Sequence, residues 1–182
     1  IQIQFSTSPS KREIIFSHTG KPFSADNIRF LIEQISTKDR SKDHNGERKT
    51  TGKFGTGFLS THLLSETVKI NSVAKEPELE YKLFELILDR SGGELQKIIN
   101  AVQLAKKSVE NLDELQSYNG YQEGAFNTFF TYPLTDCVAL NIAKKGIDDL
   151  KKCLPYSLIF VPEIRKLSIF PENVYFNVPS AP

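Results

Sequence analysis

Methionine is missing from all 182 positions, the first included. The chain opens instead on IQIQF, an alternation that reads as a strand already under way, so the sequence is expected to continue upstream of Ile1. No run approaches the roughly 20 apolar residues of a membrane helix, and no signal-peptide pattern opens the chain. These absences argue against a membrane partner and make the cytoplasm the expected compartment. Cysteine is scarce: Cys137 and Cys153 stand apart without clustered histidines. That spacing argues against a zinc site and leaves a buried thiol pair in a reducing compartment as the expectation. An excess of one charge is also lacking, since 23 basic and 22 acidic residues leave a net +1. Such a balance gives no reason to expect a non-specific grip on nucleic acid.

What remains is an ordinary globular composition, 39% hydrophobic and 25% charged, long enough for one good core. IQIQF and REIIF alternate with period two around the turn-rich STSPSK, which predicts two antiparallel strands. Ile28, Leu31, Ile32 and Ile35 fall on one helical stripe, with Ser24 placed to cap its start. FLSTHLLS reads as a buried helix, TVKINSVA and YKLFELILDR as strands. Residues 93–115 read as a helix whose core stripe is Leu95, Ile98, Ile99, Val102, Ala105 and Val109. GAFNTFFTYPL is strand-like, and DCVALNIAKKGIDDLKKCL helical despite Gly146. YSLIFV suits either state, RKLSIF reads as a last strand, and 171–182 as a proline-bounded tail or the start of a linker. Strands and helices mix without strict βαβ alternation. The predicted fold class is therefore α/β in the α+β sense: a two-layer sandwich of a mixed, mostly antiparallel sheet with helices on one face.

TTGKFGTGFLSTHLLS, residues 50–65, concentrates Gly52, Gly55 and Gly57 immediately before an apolar run. A Walker A loop fails here: Gly46 and Gly52 enclose five residues, and Phe54 stands where a magnesium-binding hydroxyl belongs. The dinucleotide fingerprint fails too, because the order is G-x-x-G-x-G and a polar segment precedes it. Successive glycines entering a helix suit an anion, through exposed N–H groups and the partial positive charge of the helix start. Lys53 would add a point charge. The same glycines serve equally as a hinge into a buried helix, the commoner role of so short a motif.

IIFSHTGKPFSADNIRFL and TGKFGTGFLSTHLLSETVKI together resemble the ATP-binding domain of the GHKL superfamily. That group includes DNA gyrase, the ninety-kilodalton heat-shock chaperone, histidine kinases and the MutL mismatch-repair proteins; the likeness leans to the chaperone and sacsin-like branch. Its specific motifs lie within residues 14–70, with GAFNTFFTYPL a weaker third element. The resemblance implies a Bergerat-type ATP-binding fold over 1–170, binding ATP with Mg2+, with 36–51 as a mobile ATP lid. It places His18, Gly20, Pro22 and Phe23 in the adenine pocket, His18 standing where the family carries an aspartate that accepts from the adenine amino group. A neutral histidine can accept through one ring nitrogen and a protonated one cannot. Pro22 replaces the family's second glycine. Gly52, Lys53, Phe54, Gly55, Thr56, Gly57 and Phe58 would wrap the triphosphate, and Thr128 would help bind near the adenine.

The family's hydrolytic glutamate and magnesium-binding asparagine lie on a helix before the first motif, and the chain begins after that point. No catalytic residue and no protein metal ligand is therefore assigned. The implied function is Mg-ATP binding within a larger GHKL-type ATPase. Nucleotide state would drive lid closure and the movement of attached domains, or dimerisation. The alternatives are a non-catalytic nucleotide-responsive module and a histidine-kinase catalytic domain. Outside the motifs, His62 is expected to be a packed, hydrogen-bonded core residue, His44 a solvated lid residue, and Asp89 and Arg90 a strand end.

Overall fold

The computed structural model describes residues 1–33, 58–161 and 163–178. Seven strands form one sheet: β1 (Gln2–Ser8), β2 (Lys11–His18), β3 (Thr67–Ala74), β4 (Lys82–Asp89), β5 (Thr128–Pro133), β6 (Lys166–Phe170) and β7 (Val174–Asn177). Their spatial order is β4-β3-β5-β2-β1-β6-β7. Every pairing is antiparallel except β1 with β6. Helices α1 (Ala25–Glu33), α2 (Leu95–Ser108) and α3 (Cys137–Phe160) complete a mixed, mostly antiparallel α+β fold, as the sequence predicts.

Register turns the period-two patterns into one buried layer. Leu86, Ile70, Phe130, Phe16, Ile3 and Ile169 form a row across six strands, each paired with the next. Because side chains alternate across a strand, that row and its neighbours put Val68, Leu88, Ile14 and Tyr132 on the same face. They join Ile28 and Ile32 of α1, Ala105 of α2, and Ala143, Ile147, Leu154 and Leu158 of α3 in one core. Fully burying an aliphatic side chain such as Ile70 or Leu86 stabilises the fold by about 1.5–3 kcal/mol. On the other face Lys69, Asn71 and Glu85 are exposed.

The helix ends follow local chemistry. Ser24 Oγ accepts the Asn27 N–H at 3.2 Å while Asn27 Oδ1 accepts the Ser24 N–H at 3.2 Å, a reciprocal cap at the predicted position. Asp136 caps α3 by accepting the Ala139 N–H at 2.7 Å. Lys106 on α2 pairs with Glu33 on α1 at 2.7 Å and joins the two helices.

Several expectations are corrected. FLSTHLLS is not a buried α-helix but a 3-10 helix, Leu59–Leu63, with Leu63 82% exposed. Phe58 and Leu64 pack against the core while Leu63 faces outward. α2 stops at Ser108, and Leu95 and Ile99, expected in the core, are exposed, because α2 presents Ala105 to the sheet. The ambiguous YSLIFV continues α3 as far as Phe160, through Pro155. Residues 174–177, expected in a tail, form β7 against β6. Cys137 and Cys153 are free and exposed rather than a buried pair. Both ride on α3, where sixteen residues at 1.5 Å rise span about 24 Å, far beyond disulfide reach. Ile35, His44 and the expected lid 36–51 lie outside the described residues.

Candidate functional site

The site is built where β2 ends and β5 begins. His18, the last residue of β2, pairs directly with Thr128, the first of β5. β5 also pairs with β3, Asn71 opposite Phe129, which puts Ser72 beside Thr128 on the helix-bearing face. Ser72 Oγ and Thr128 Oγ1 share a hydrogen bond of 2.6 Å. Both residues are buried, and a hydroxyl buried without a partner is costly, so the pair satisfies itself. His18, Thr128 and Ser72 thus form a polar row one step beyond the apolar row through Phe130. Phe84 closes the row opposite Ser72.

His18 is held from several sides. Its Nδ1 accepts the Gly20 N–H at 2.9 Å, closing a tight local turn. A Cβ at position 20 would lie 2.7 Å from that Nδ1, so glycine permits the approach. The imidazole stacks on Phe130, centroids 6.0 Å apart, and tilts against Phe16 at 6.1 Å. Burial lowers the imidazole pKa from its ordinary 6.5, favouring the neutral ring.

Phe130 also links this corner to the glycine-rich motif. Phe58, the residue after Gly57, meets Phe130 with centroids 5.9 Å apart. The 3-10 helix that follows is tied down next to the same strand. Thr61 Oγ1 donates to the Phe58 carbonyl at 2.7 Å, and Ser65 Oγ donates to the Pro133 carbonyl at 2.7 Å. The Tyr132 phenol is pushed up to about 12 by burial, opposed by its hydrogen bond with Thr61. Alternate residues of β5 therefore support both segments: Thr128 and Phe130 hold His18, Phe130 and Tyr132 hold the start and middle of the 3-10 helix.

Of the residues expected at the site, His18, Gly20, Phe58 and Thr128 converge here. Phe23, expected on the base or the pocket floor, is bound to the sheet through its backbone. Its N–H donates to the Val73 carbonyl and its carbonyl accepts the Lys75 N–H, both at 2.9 Å, and its ring packs edge-on against Phe84 at 5.7 Å. Phe23 therefore fastens the 19–24 segment to the sheet beneath the polar row. Pro22 precedes it, half-buried. Gly52, Lys53, Phe54, Gly55, Thr56 and Gly57 lie outside the described residues. His62, half-buried, contacts the Glu66 carbonyl through Nδ1 at 3.3 Å and the Phe58 ring edge-on at 6.4 Å. Its role is to pack the 3-10 helix rather than to face the row. Asp89 ends β4 as expected, accepting the Ser91 N–H at 2.9 Å and the Thr67 hydroxyl at 3.2 Å.

Sequence reasoning missed Ser72 and Phe130. Both sit in strands that were legible, but nothing local says that residue 72 will lie beside residue 128. Among the described residues no group of three or more His, Cys, Asp or Glu side chains could hold a metal ion, so no magnesium ligand is assigned to them. Chemically the row holds a half-buried neutral imidazole beside two buried hydroxyls bonded to each other, with the Phe130, Phe16 and Phe84 rings around them. Neither a family model nor a curated protein matches the chain. No described helix is long and apolar enough to cross a membrane.

Proposed function

We propose that this chain is a nucleotide-binding domain of the GHKL type, taking Mg-ATP as the nucleotide module of a larger ATPase. One observation carries the reading: His18 and Phe58, forty residues apart in sequence, both pack against the Phe130 ring, beside Thr128. The segment carrying HTG and Phe58, the residue that follows the G-x-x-G-x-G motif, thus meet on one strand, which supports a base pocket and a phosphate loop serving a single ligand. The base is assigned to the His18–Thr128–Ser72 row. The triphosphate is assigned, from sequence, to the backbone of residues 52–57, with Lys53 as its charge. Nucleotide state would then act on attached domains or on dimerisation.

A second reading, a nucleotide-responsive module without hydrolysis, is favoured by His18 itself. The neutral imidazole is engaged by Gly20 and offers no carboxylate at the base position. Calorimetry with a non-hydrolysable ATP analogue and magnesium tests what the two readings share. Saturable binding is expected, abolished by Gly55→Val with the thermal transition unchanged. The absence of both heat and thermal shift at millimolar ligand overturns both. Phosphate release by a binding-competent chain that includes any upstream helix separates the ATPase from the passive module.

A further inference from the structure

His18 occupies the base-reading position, yet its hydrogen-bonding polarity is already decided before any ligand arrives. Nδ1 accepts the Gly20 N–H at 2.9 Å, and a ring nitrogen that accepts carries no proton. Turning the ring over would set a carbon against that N–H and leave it without an acceptor. The stack on Phe130 and the contact with Phe16 hold the ring plane where it lies. The remaining proton of the neutral imidazole therefore resides on Nε2. No hydrogen bond to Nε2 is made by any described residue, and the one buried side-chain nitrogen or oxygen without a partner among them is Arg12 Nε. Nε2–H is thus open to solvent and to a ligand.

We infer that His18 reads an acceptor atom on the purine edge, not an exocyclic amino group, and so selects its nucleotide with the polarity opposite to that of a carboxylate. The inference rests on the nucleotide reading above and specifies its base. An aspartate at position 18 would offer acceptors alone and would reward the 6-amino group of adenine. Nε2–H offers a donor alone, and rewards a purine ring nitrogen or a 6-oxo group. Its neighbours do not reverse this. Ser72 and Thr128 are buried and hydrogen-bonded to each other, and neither carries a charge that would favour an amino group. His18 is the member of the row with fixed polarity.

Two measurements test the inference. Long-range proton–nitrogen correlation spectra of the free protein report the tautomer directly: Nδ1 is expected unprotonated and Nε2 protonated. The opposite assignment overturns the inference whatever binds. Calorimetry with magnesium then compares ATP with purine riboside triphosphate, which lacks the 6-amino group and keeps the ring acceptors. The two are expected to bind within about threefold of each other. In His18→Asp the ratio should move at least about tenfold towards ATP, the worth of one hydrogen bond to a charged acceptor. Should that variant fold poorly, His18→Gln, whose amide can present either polarity, is expected to leave the ratio near one.

A tenfold preference for ATP in the wild-type protein, unchanged in His18→Asp, overturns the inference while leaving nucleotide binding intact. Failure of either nucleotide to bind a protein with the expected tautomer instead brings down the nucleotide reading, and the base assignment with it. Within a positive result, inosine triphosphate and 1-deaza-ATP tell the two acceptors apart. Tighter binding of inosine triphosphate than of ATP, which carries an amino group rather than an oxygen at C6, locates the acceptor at the 6-oxo position. Loss with both analogues locates it at ring nitrogen N1.

Discussion

The Ser72–Thr128 pair permits a separation of what the site costs from what it binds. Ser72 is 3% exposed and Thr128 1% exposed, and their hydroxyls meet at 2.6 Å. Thr128→Val keeps the branched shape and removes the oxygen, leaving the Ser72 hydroxyl buried without its partner. A net hydrogen bond is worth about 1 kcal/mol, and stranding a buried hydroxyl costs about 1–3 kcal/mol. Each single variant, Thr128→Val or Ser72→Ala, should therefore lose about 1–3 kcal/mol. Removing both hydroxyls strands neither, so the double variant should lose less than the sum, with a coupling of about 1 kcal/mol or more. Urea unfolding of the four proteins measures this at constant slope, and a chain of this size should lose about 2–4 °C in Tm per kcal/mol. Nucleotide affinity is expected to behave differently: the double variant regains part of the summed stability loss but not binding, because the row beside His18 has lost both hydroxyls. Singles within 0.5 kcal/mol of wild type, or strict additivity, would refute the claim that the two hydroxyls satisfy each other.

Gly146 sits in the interior of α3, and a Cβ there would meet nothing within 4 Å. Gly146→Ala should raise stability by about 1 kcal/mol, read as a higher urea midpoint; no gain would mean that helix propensity does not limit this segment. Gly20→Ala puts a methyl 2.7 Å from His18 Nδ1, so the Gly20–His18 bond should break at a cost of about 1 kcal/mol, with Nδ1 shifting in nitrogen spectra. Burial, the largest cause for both, holds the pKa of His18 and of His62 below the ordinary 6.5. As pH falls past 6.5 the unfolded chain takes up these protons first, so stability should be full above about pH 6.5 and decline as pH falls through the folded values. His18→Gln should flatten its share of that decline, and an unchanged profile would count against a half-buried, neutral His18.

Local pattern was enough for most elements. Alternation in IQIQF, REIIF and TVKINSVA marks strands because one face of each is buried, and the stripe at Ile28 and Ile32 with Ser24 ahead of it marks a capped helix, because a cap and its partner lie three residues apart. The one-sided apolar faces likewise required a sheet covered by helices. Local pattern failed where the deciding partner is distant. YSLIFV is helical because Leu154 and Leu158 extend the core stripe that begins at Ala143 and Ile147, and 174–177 is a strand because β6 offers an open edge. Leu95 and Ile99 are exposed because Ala105 sits in the core while α2 turns them outward.

The site divides in the same way. The resemblance to the GHKL motifs marked His18, Gly20, Phe58 and Thr128 as candidates, since such motifs are written in consecutive residues. Only the tertiary structure made Ser72 the partner of Thr128, brought His18 and Phe58 to the same Phe130 ring, and fastened Phe23 to the sheet beside Val73. It also set which nitrogen of His18 holds the proton, because that depends on a backbone N–H brought within 2.9 Å by a turn in which a Cβ at position 20 would crowd the imidazole. Sequence fixes which groups are present. Strand register, set by the burial of whole faces at once, decides which of them meet.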